Sequence, residues 1–456
     1  MWGFPEPVWA GGFTLGTWTL WLCLGLAAPA TAGTLANRVF ETRLANGLKV
    51  LMVEESKAPV VSVQVWYKVG SRNEQAGKSG LSHMIEHMMF KGTPSIAAKE
   101  FEALIARNGG DNNAYTTADF TAYTDEFAAD RVELALRLEA DRMNNLLLEE
   151  KDFEPERQVV AEERRLRIED QPANLLSEAA RAMAFMAHPY RWPTIGWPSD
   201  IQAYTRDDLV RHYRTYYRPN NAVLIVVGAI RVNGLLPKIH DLFDPIAAGR
   251  VPSGTVSQEP PQLGERRLIL HKEAELPILF AVYHAPNLRH PDSPAVKVLA
   301  TVLGGGDSAR LYQRLVYREQ VASYAEVEYE PAHVEPHLLG ISVGPAPGKR
   351  PDLVEHLALD EVERLQREPV GERELQKAKN QIEAQFLVAE DSTDRLADLL
   401  GRYEIAGGWR LLDDFLDGVR RVTAADVQRV ARSYLIPDNR TVAILLPAKP
   451  ELPAAK

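Results

Sequence analysis

Two histidines and a glutamate lie within five residues of this chain and could act on one metal ion. His83, Glu86 and His87 form the spacing H-x-x-E-H. On an α-helix, residues four apart lie one above the other, so the two imidazoles can face a single ion while Glu86 lies on the same turn. A catalytic zinc site normally has three protein ligands and one open position. The spacing therefore predicts a hydrolytic Zn²⁺ site in which Glu86 is the general base that activates a zinc-bound water.

The residues around this motif predict the helix that must hold it. Apolar side chains recur at the positions i, i+3, i+4, i+7 and i+8, a pattern typical of an amphipathic helix packed on a core. These residues are Leu81, Met84, Ile85, Met88 and Met89. Ser79 is the expected N-cap of this helix.

A third metal ligand must come from elsewhere, and residues 153–165 offer three carboxylates. Glu156 and Glu163 are seven residues apart and share a helix face, whereas Glu162 points about a quarter turn away. Pro155 suits the first turn of that helix. Two helices can approach in any register, so spacing alone does not choose among the carboxylates. A solvated, charged helix face is the alternative interpretation of this segment.

The inverted histidine motif and the later run E-R-x-V-V-x-E-E resemble the pitrilysin family of zinc peptidases. This family includes insulin-degrading enzyme and the mitochondrial processing peptidase, and the similarity covers nearly all of the chain beyond residue 38, as in the short two-domain bacterial type. The resemblance implies that Glu163 is the third zinc ligand. It also implies that Glu156 is a carboxylate that supports the ligands.

An internal repeat indicates two related halves. The segment from Thr205 to Asn221 recurs 218 residues later, from Thr423 to Asn439, and each copy has the pattern of a helix, a Pro-Asn turn and a buried strand. The same offset carries the metal positions onto residues that could not reproduce a zinc site. These are Thr301, Gly305 and Gln381.

A stretch rich in Pro, Gly and Ser at residues 245–264 is the expected linker between the halves. It separates a zinc-bearing catalytic domain at 38–244 from a homologous domain without metal at 265–448. The Asn46-Gly47 pair predicts a β-hairpin near the start of the first domain. The expected class is α+β, with a largely antiparallel sheet packed with helices in each domain. The resemblance implies that the two domains form half of a clamshell.

The substrate is expected to bind along an edge strand near the metal motif. Thr, Tyr and Phe dominate from Tyr115 to Tyr123, which favours an exposed strand. The resemblance implies that Asn113 and Ala114 belong to an edge strand to which an extended peptide adds as a further strand. A solvent-facing hairpin without a ligand is the alternative.

The family also uses an Arg and, seven residues later, a Tyr in the second domain to bind substrate. Tyr324 matches the tyrosine, but Tyr317 occupies the arginine position, with Arg314 and Arg318 as nearby substitutes. We therefore expect the zinc-bearing subunit of a heterodimer whose homologous partner carries the Arg and Tyr. A homodimer is the alternative.

The amino terminus predicts export. Residues 13–28 are apolar without a charge and are followed by a small-x-small sequence at 30–32, so residues 1–32 are the expected signal peptide. The segment before the apolar run has Glu6 and no Lys or Arg, which leaves two alternatives open, an uncleaved membrane anchor and a mis-assigned start. The single cysteine, Cys23, lies in this segment, so the mature chain can form no disulfide. A periplasmic location fits both observations.

Acidic residues outnumber basic ones by 62 to 52, which gives a formal charge of −10. This balance disfavours nucleic acid and anionic membranes as partners. The sequence therefore predicts a zinc metalloendopeptidase, with one Zn²⁺ per chain, that hydrolyses peptides or small unfolded proteins. A non-catalytic assembly or scaffolding subunit of the same fold is the alternative. The presence of all four candidate site residues, His83, Glu86, His87 and Glu163, argues against it.

Overall fold

The computed structural model describes residues 35–254 and 257–448. The expected signal peptide at 1–32 lies outside these residues. Within them, none of the helices combines the length and the apolar character needed to cross a bilayer.

The first half contains a six-stranded sheet and eight α-helices within the described residues. Its strands are β1 (Val39–Arg43), β2 (Lys49–Glu54), β3 (Val60–Tyr67), β4 (Asp111–Thr116), β5 (Thr121–Ala128) and β6 (Ala222–Gly228). Its helices are α1 (Leu81–Met88), α2 (Ala98–Arg107), α3 (Val132–Asn145), α4 (Glu150–Arg164), α5 (Pro172–Ala184), α6 (Pro198–Ala203), α7 (Arg206–Tyr216) and α8 (Val232–Phe243). A π-helical turn, Arg165–Glu169, continues α4.

The second half repeats this plan with five strands and six α-helices among the described residues. Its strands are β7 (Arg266–Lys272), β8 (Ile278–Ala285), β9 (Ala322–Tyr329), β10 (His337–Pro345) and β11 (Arg440–Pro447). Its helices are α9 (Ser293–Gly304), α10 (Pro351–Arg367), α11 (Glu372–Glu390), α12 (Thr393–Ala406), α13 (Leu411–Arg421) and α14 (Ala424–Tyr434).

The two sheets share one strand order. The first runs β1-β2-β6-β3-β5-β4 and the second runs β7-β11-β8-β10-β9. Neighbouring strands are antiparallel except for the parallel pairs β2–β6 and β7–β11. The expected class, two largely antiparallel sheets packed with helices, is confirmed. The position of the domain boundaries stays a prediction, although residues 244–254 and 257–265 contain no helix or strand.

The repeated segments form the same local structure in both halves. Thr205 caps α7 and Thr423 caps α14, each by accepting a hydrogen bond from the backbone N–H of an aspartate three residues later. The side-chain amides of Asn221 and Asn439 both donate to the carbonyl of the last residue of the preceding helix. The predicted hairpin at Asn46 is also confirmed, since β1 and β2 pair antiparallel around it.

Two of the local expectations are wrong. The run from Tyr115 to Tyr123 is not one exposed strand, because the hydroxyl of Thr117 accepts the N–H groups of Asp119 and Phe120 and makes a turn between β4 and β5. Most of the residues after this turn are buried. Pro155 lies inside α4 instead of in its first turn, because the helix already begins at Glu150.

One helix of each half packs on the sheet of the other half. Helix α5 packs on β8 and β11 of the second sheet, where Leu176 and Ala180 meet Ala443 and Leu445. Helix α12 packs on β3 and β6 of the first sheet. The ring of Trp66 fills this second contact so closely that a Cβ at Gly401 would lie 2.2 Å from it. The two halves therefore share their cores.

Candidate active site

The three predicted metal ligands lie close together. Nε2 of His83 lies 3.5 Å from Oε2 of Glu163, and Nε2 of His87 lies 3.1 Å from the same oxygen. One ligand atom from each of the three residues lies within 4.8 Å of the other two. Helix α1 supplies the two histidines on one face, as the four-residue spacing predicts, and α4 supplies the glutamate.

The pKa values of these groups follow from burial and from their hydrogen bonds. Burial, aided by the neighbouring His87, lowers the pKa of His83 to about 3. Burial also opposes a charge on His87, but its hydrogen bonds to Glu156 and Glu163 outweigh this effect and raise its pKa to about 9. For Glu163, burial is outweighed by the same bond and by both histidines, so its pKa lies below the ordinary value.

Glu156 lies behind the cluster and holds one of its rings. Nδ1 of His87 donates to Oε1 of Glu156 at 2.8 Å, and Lys91 forms an ion pair with the other oxygen. A carboxylate in this position fixes the orientation of an imidazole and directs its second nitrogen toward the cluster. Glu162, the carboxylate that the spacing left open, is instead exposed and pairs with Arg165.

Glu86 lies beside the cluster with one oxygen held. The hydroxyl of Thr116, on β4, donates to Oε2 of Glu86 at 2.5 Å. Glu86 is only 6% exposed, and burial raises the pKa of its carboxyl group. Thr116 therefore fixes the direction in which Glu86 points.

The amino end of α1 is held by a residue that sequence reasoning missed. The expected N-cap, Ser79, is wrong: the cap position is Gly80, with φ +93°, and the side chain of Ser79 bonds to Asp200. The carboxyl group of the buried Glu74 accepts the N–H groups of Gly80 and Ser82, both at 2.7 Å. Burial outweighs these bonds and raises the pKa of Glu74 to about 8. Glu74 directly follows the Ser71–Asn73 turn. No sequence pattern of a helix start includes it.

A buried ion pair fixes α4 next to Glu163. The guanidinium of Arg164 bonds to both oxygens of Glu178 on α5, at 3.0 and 2.8 Å, and also donates to the carbonyl of Gly196. Arg167, on the π-helical turn, pairs with Glu163 at 2.9 Å. Single-turn π segments often occur at functional sites. This turn lies directly after the glutamate of the cluster.

A cavity of about 490 Å³ opens beside the cluster. His83, Glu86 and Glu163 form one end of it, and the π-helical turn and one face of α5 form its walls. The polar residues that α5 contributes are Asn174, Ser177, Glu178 and Arg181. The cavity therefore offers space for a substrate next to His83, Glu86 and Glu163.

The predicted substrate-binding residues lie on sheet edges. Asn113 and Ala114 are on β4, which is the last strand of the first sheet, so the edge position that was expected for them is confirmed. Tyr324 is on β9, the last strand of the second sheet. It is absent from the residues that line the cavity beside His83.

The segment that departs from the family pattern has unusual backbone geometry. Residues Tyr312–Arg318 form a π-helix, followed by Gln320 with φ +50°, the only positive φ of a non-glycine residue in the described part of the chain. Tyr317 is 70% exposed. Arg314 is engaged with Asp360 and Glu361. Arg318 is exposed, with no ion pair to another described residue.

Comparison with known proteins places this arrangement in a family. Residues 49–196 match Insulinase (Peptidase family M16), and residues 203–382 match the Peptidase M16 inactive domain. The zinc protease PqqE of Helicobacter pylori is 34% identical over 409 residues, which cover 89% of this chain and 92% of that protein. A probable mitochondrial-processing peptidase subunit beta of Arabidopsis thaliana is 28% identical, with 89% of this chain and 78% of that protein covered.

Solved structures agree with the sequence matches. The crystal structure of a protease from Helicobacter pylori superposes with a TM-score of 0.86 at 32% identity, covering 90% of this chain and 99% of that one. The periplasmic protease PqqL of Escherichia coli shares the fold, with a TM-score of 0.76 at 18% identity over 90% of this chain and 47% of that one. The chain therefore belongs to the pitrilysin family, peptidase family M16, whose named relatives include zinc proteases.

Proposed function

We propose that this chain is a zinc metalloendopeptidase that hydrolyses peptides or small unfolded proteins. The observation that carries the proposal is the convergence of His83, His87 and Glu163 on one point, beside Glu86, at the end of an open cavity. The relatives that are named zinc proteases support the same class of activity.

The donor set of the cluster fits one Zn²⁺. Two imidazole nitrogens and one carboxylate oxygen are a common ligand set of catalytic zinc, which leaves a further position open. Nδ1 of the buried His83 has no hydrogen-bond partner among the described residues, so Nε2 is the nitrogen that this ring offers to the cluster. A bound Zn²⁺ would supply the Lewis acidity that favours attack of water on a peptide carbonyl.

Glu86 is the proposed general base. Its Oε2 is occupied by the hydroxyl of Thr116, which leaves Oε1 to accept a proton from the attacking water and to deliver it to the leaving nitrogen. Thr116 acts as a positioning residue, because it determines which oxygen of Glu86 stays available. Glu156 has the same kind of role toward His87.

An extended peptide would bind along β4. Asn113 and Ala114 lie on this strand, whose outer edge pairs with no other described strand, and Thr116 on the same strand touches Glu86. A peptide that pairs with this edge is held by main-chain hydrogen bonds, which are indifferent to most side chains. The binding mode therefore favours broad specificity along the peptide.

The chain would act as the zinc-bearing subunit of a dimer. Tyr317 replaces the family's Arg, and Arg314 is engaged in ion pairs within its own half. A homologous subunit that carries an Arg and a Tyr would complete the site, and the relative named as a subunit beta supports this arrangement. In a homodimer, Arg318 is the arginine free to serve, with Tyr324 as its companion.

The proposed location is the periplasm, after export by the segment at residues 1–32. Residues 13–28 of that segment are apolar, and a small-x-small sequence follows at 30–32. The neighbour PqqL is described as a periplasmic protease. Membrane anchoring through an uncleaved segment is the variant of this proposal.

The test is hydrolysis of a quenched fluorescent peptide mixture by the purified mature chain, alone and with a candidate partner subunit, with the zinc content measured on the same samples. We expect zinc-dependent cleavage that Glu86→Gln lowers at least about 100-fold while the zinc content is retained. Unchanged turnover of Glu86→Gln would refute the mechanism. Cleavage that needs the partner would establish the heterodimer, and cleavage without it would establish a self-sufficient chain.

A further inference from the structure

Arg181 is a cation without a partner in the wall of the cavity. It lies on α5 and lines the cavity, and no described residue forms a hydrogen bond or ion pair with its guanidinium. Burial lowers the pKa of Arg181, but an arginine stays protonated under ordinary conditions. Arg181 is half-buried, so a ligand in the cavity that pairs with its guanidinium would gain a charge-assisted hydrogen bond.

Three carboxylates line the cavity; Glu86 is the proposed base, and the other two are paired within the protein. Both oxygens of Glu178 are bonded to Arg164. Glu163 pairs with Arg167 and with His87 of the cluster. Glu178 also attracts Arg181 through its charge, but Arg181 is the arginine of the cavity lining that has no ion pair with a described residue.

The neighbours of Arg181 suit a carboxylate group. Ser177 lies four residues earlier, on the same face of α5, and also lines the cavity. An arginine fork binds a carboxylate through two parallel hydrogen bonds, and a serine hydroxyl can add a third. Leu166 and Ile168 on the π-helical turn offer apolar contacts for the methylene groups of a longer side chain.

We propose that this cavity is a binding subsite for a carboxylate of the peptide substrate and that Arg181 is its ion-pair partner. The inference rests on the proposed peptidase function and specifies its substrate class. The carboxylate belongs either to an aspartate or glutamate side chain near the scissile bond or to the carboxyl terminus of the peptide. A preference at this one position adds to the broad main-chain recognition by β4.

The test measures binding of fluorescent peptides to full-length, zinc-loaded protein with Glu86→Gln, which allows binding without turnover. Matched peptides carry Glu or Gln at successive positions, and each has either a free or an amidated carboxyl terminus. We expect a loss of binding of at least about 10-fold when the recognised carboxylate is neutralised, equivalent to about 1.4 kcal/mol. The position of the effect distinguishes a side chain from the terminus.

Substitutions at Arg181 decide whether this residue is the cause. In Arg181→Gln the discrimination between charged and neutral peptides should shrink to less than about twofold, and Arg181→Glu should favour peptides with Lys in place of Glu. Arg181→Lys keeps the charge and should show intermediate discrimination, which keeps the test open if Arg181→Gln folds poorly. Arg165→Gln is the matched control, because Arg165 is an exposed arginine paired with Glu162.

Two outcomes would overturn the inference. Equal binding of charged and neutral peptides by the protein that retains Arg181 would show that no carboxylate is recognised. An equal loss for all peptides in Arg181→Gln would show a structural role. Failure here is distinct from failure of the proposed function, because zinc-dependent and Glu86-dependent hydrolysis is measured separately and can persist without any preference for a carboxylate.

Discussion

The two halves of this chain share one fold but differ at the point where the chemistry would occur. In the first half, His83, His87 and Glu163 form the cluster. In the second, Gln381 occupies the position of Glu163, and its side-chain amide donates to the carbonyl of Gly305, at the position of His87. The same contact between two helices is therefore kept, with a neutral hydrogen bond in place of the three residues of the cluster.

The supporting carboxylate survives in both halves with a different partner. Glu156 accepts from His87, whereas Glu374, 218 residues later, forms a two-pronged ion pair with Arg310. A side chain cannot be added at Gly305, because a Cβ there would lie 2.6 Å from the carbonyl oxygen of Thr301. The second half therefore keeps the fold without the cluster residues, and its supporting carboxylate pairs with an arginine instead of a histidine.

Among the substitutions that test this comparison, replacement of Glu163, the proposed third ligand, should have the largest effect. Glu163→Gln should weaken zinc retention more than about 100-fold, beyond the effect usual for residues that only support ligands. The reciprocal Gln381→Glu should gain no zinc, because Gly305 and Thr301 offer no imidazole. Zinc affinity by competition with a chelator measures both, with Glu162→Gln as the control. A larger loss in the Glu162 variant would move the third ligand to that residue.

The two supporting carboxylates should differ in what they support. Glu156→Gln should weaken zinc affinity by about 10-fold to 100-fold, because the ring of His87 loses its hydrogen-bond acceptor. Glu374→Gln should leave zinc affinity unchanged and lower the free energy of unfolding, because it leaves Arg310 without this pair. Zinc titration and denaturant unfolding on both variants measure the difference. Loss of zinc in the Glu374 variant would contradict the division between the halves.

The acids that precede α1 and α9 differ in their surroundings. Asp292 pairs with Arg429 at 2.7 Å, whereas burial raises the pKa of Glu74 to about 8 and no described cation pairs with it. Between the ordinary glutamate pKa and about pH 8, the folded chain keeps the proton of Glu74 and the unfolded chain releases it. The stability that this proton provides is fully present below the ordinary pKa and is lost as the pH rises through the folded value.

We therefore expect the free energy of unfolding to fall between about pH 5 and pH 8, by up to about 1.4 kcal/mol per pH unit from this group. Glu74→Gln should flatten this decline, since an amide does not titrate. Denaturant unfolding of the zinc-free protein across this pH range measures it, with Asp292→Asn as the matched control. A decline that is as steep in the Glu74 variant would assign the pH dependence to other groups.

The smallest effects are expected at the repeated helix caps. Thr205→Ala and Thr423→Ala each remove a side-chain acceptor from an equivalent helix start and should each cost about 1 kcal/mol. Denaturant unfolding measures both costs, and Thr215→Ala, on the exposed surface of α7, is a control for threonine loss alone. Costs that differ severalfold would show that the halves are less alike in energy than in geometry.

Much of this arrangement could be predicted because it is repeated or local. The offset of 218 residues between Thr205 and Thr423 also relates the bounds of β3 to those of β8, and the H-x-x-E-H spacing predicted that α1 presents both histidines on one face. The choice of Glu163 over Glu162 needed the resemblance, because the register between α1 and α4 depends on packing that spacing does not encode.

Other features could not be predicted from the sequence, for physical reasons. Glu74 caps α1 through the path of the preceding loop, so no fixed spacing announces it. The π-helical segments have the same apolar pattern as ordinary helices, although their hydrogen bonds differ. The apolar face of α5 indicates burial but does not tell which sheet it meets.

Because α5 and α12 each pack on the sheet of the other half, the second half supports the candidate active site of the first. All residues that line the cavity precede residue 200, yet the wall formed by α5 rests on Ala443 and Leu445 of β11. The second sheet therefore supports one wall of the cavity, although none of its residues lines the cavity. The second half is therefore needed mechanically although it lacks the cluster residues, since a displaced β11 would move the cavity wall and, with it, Arg181.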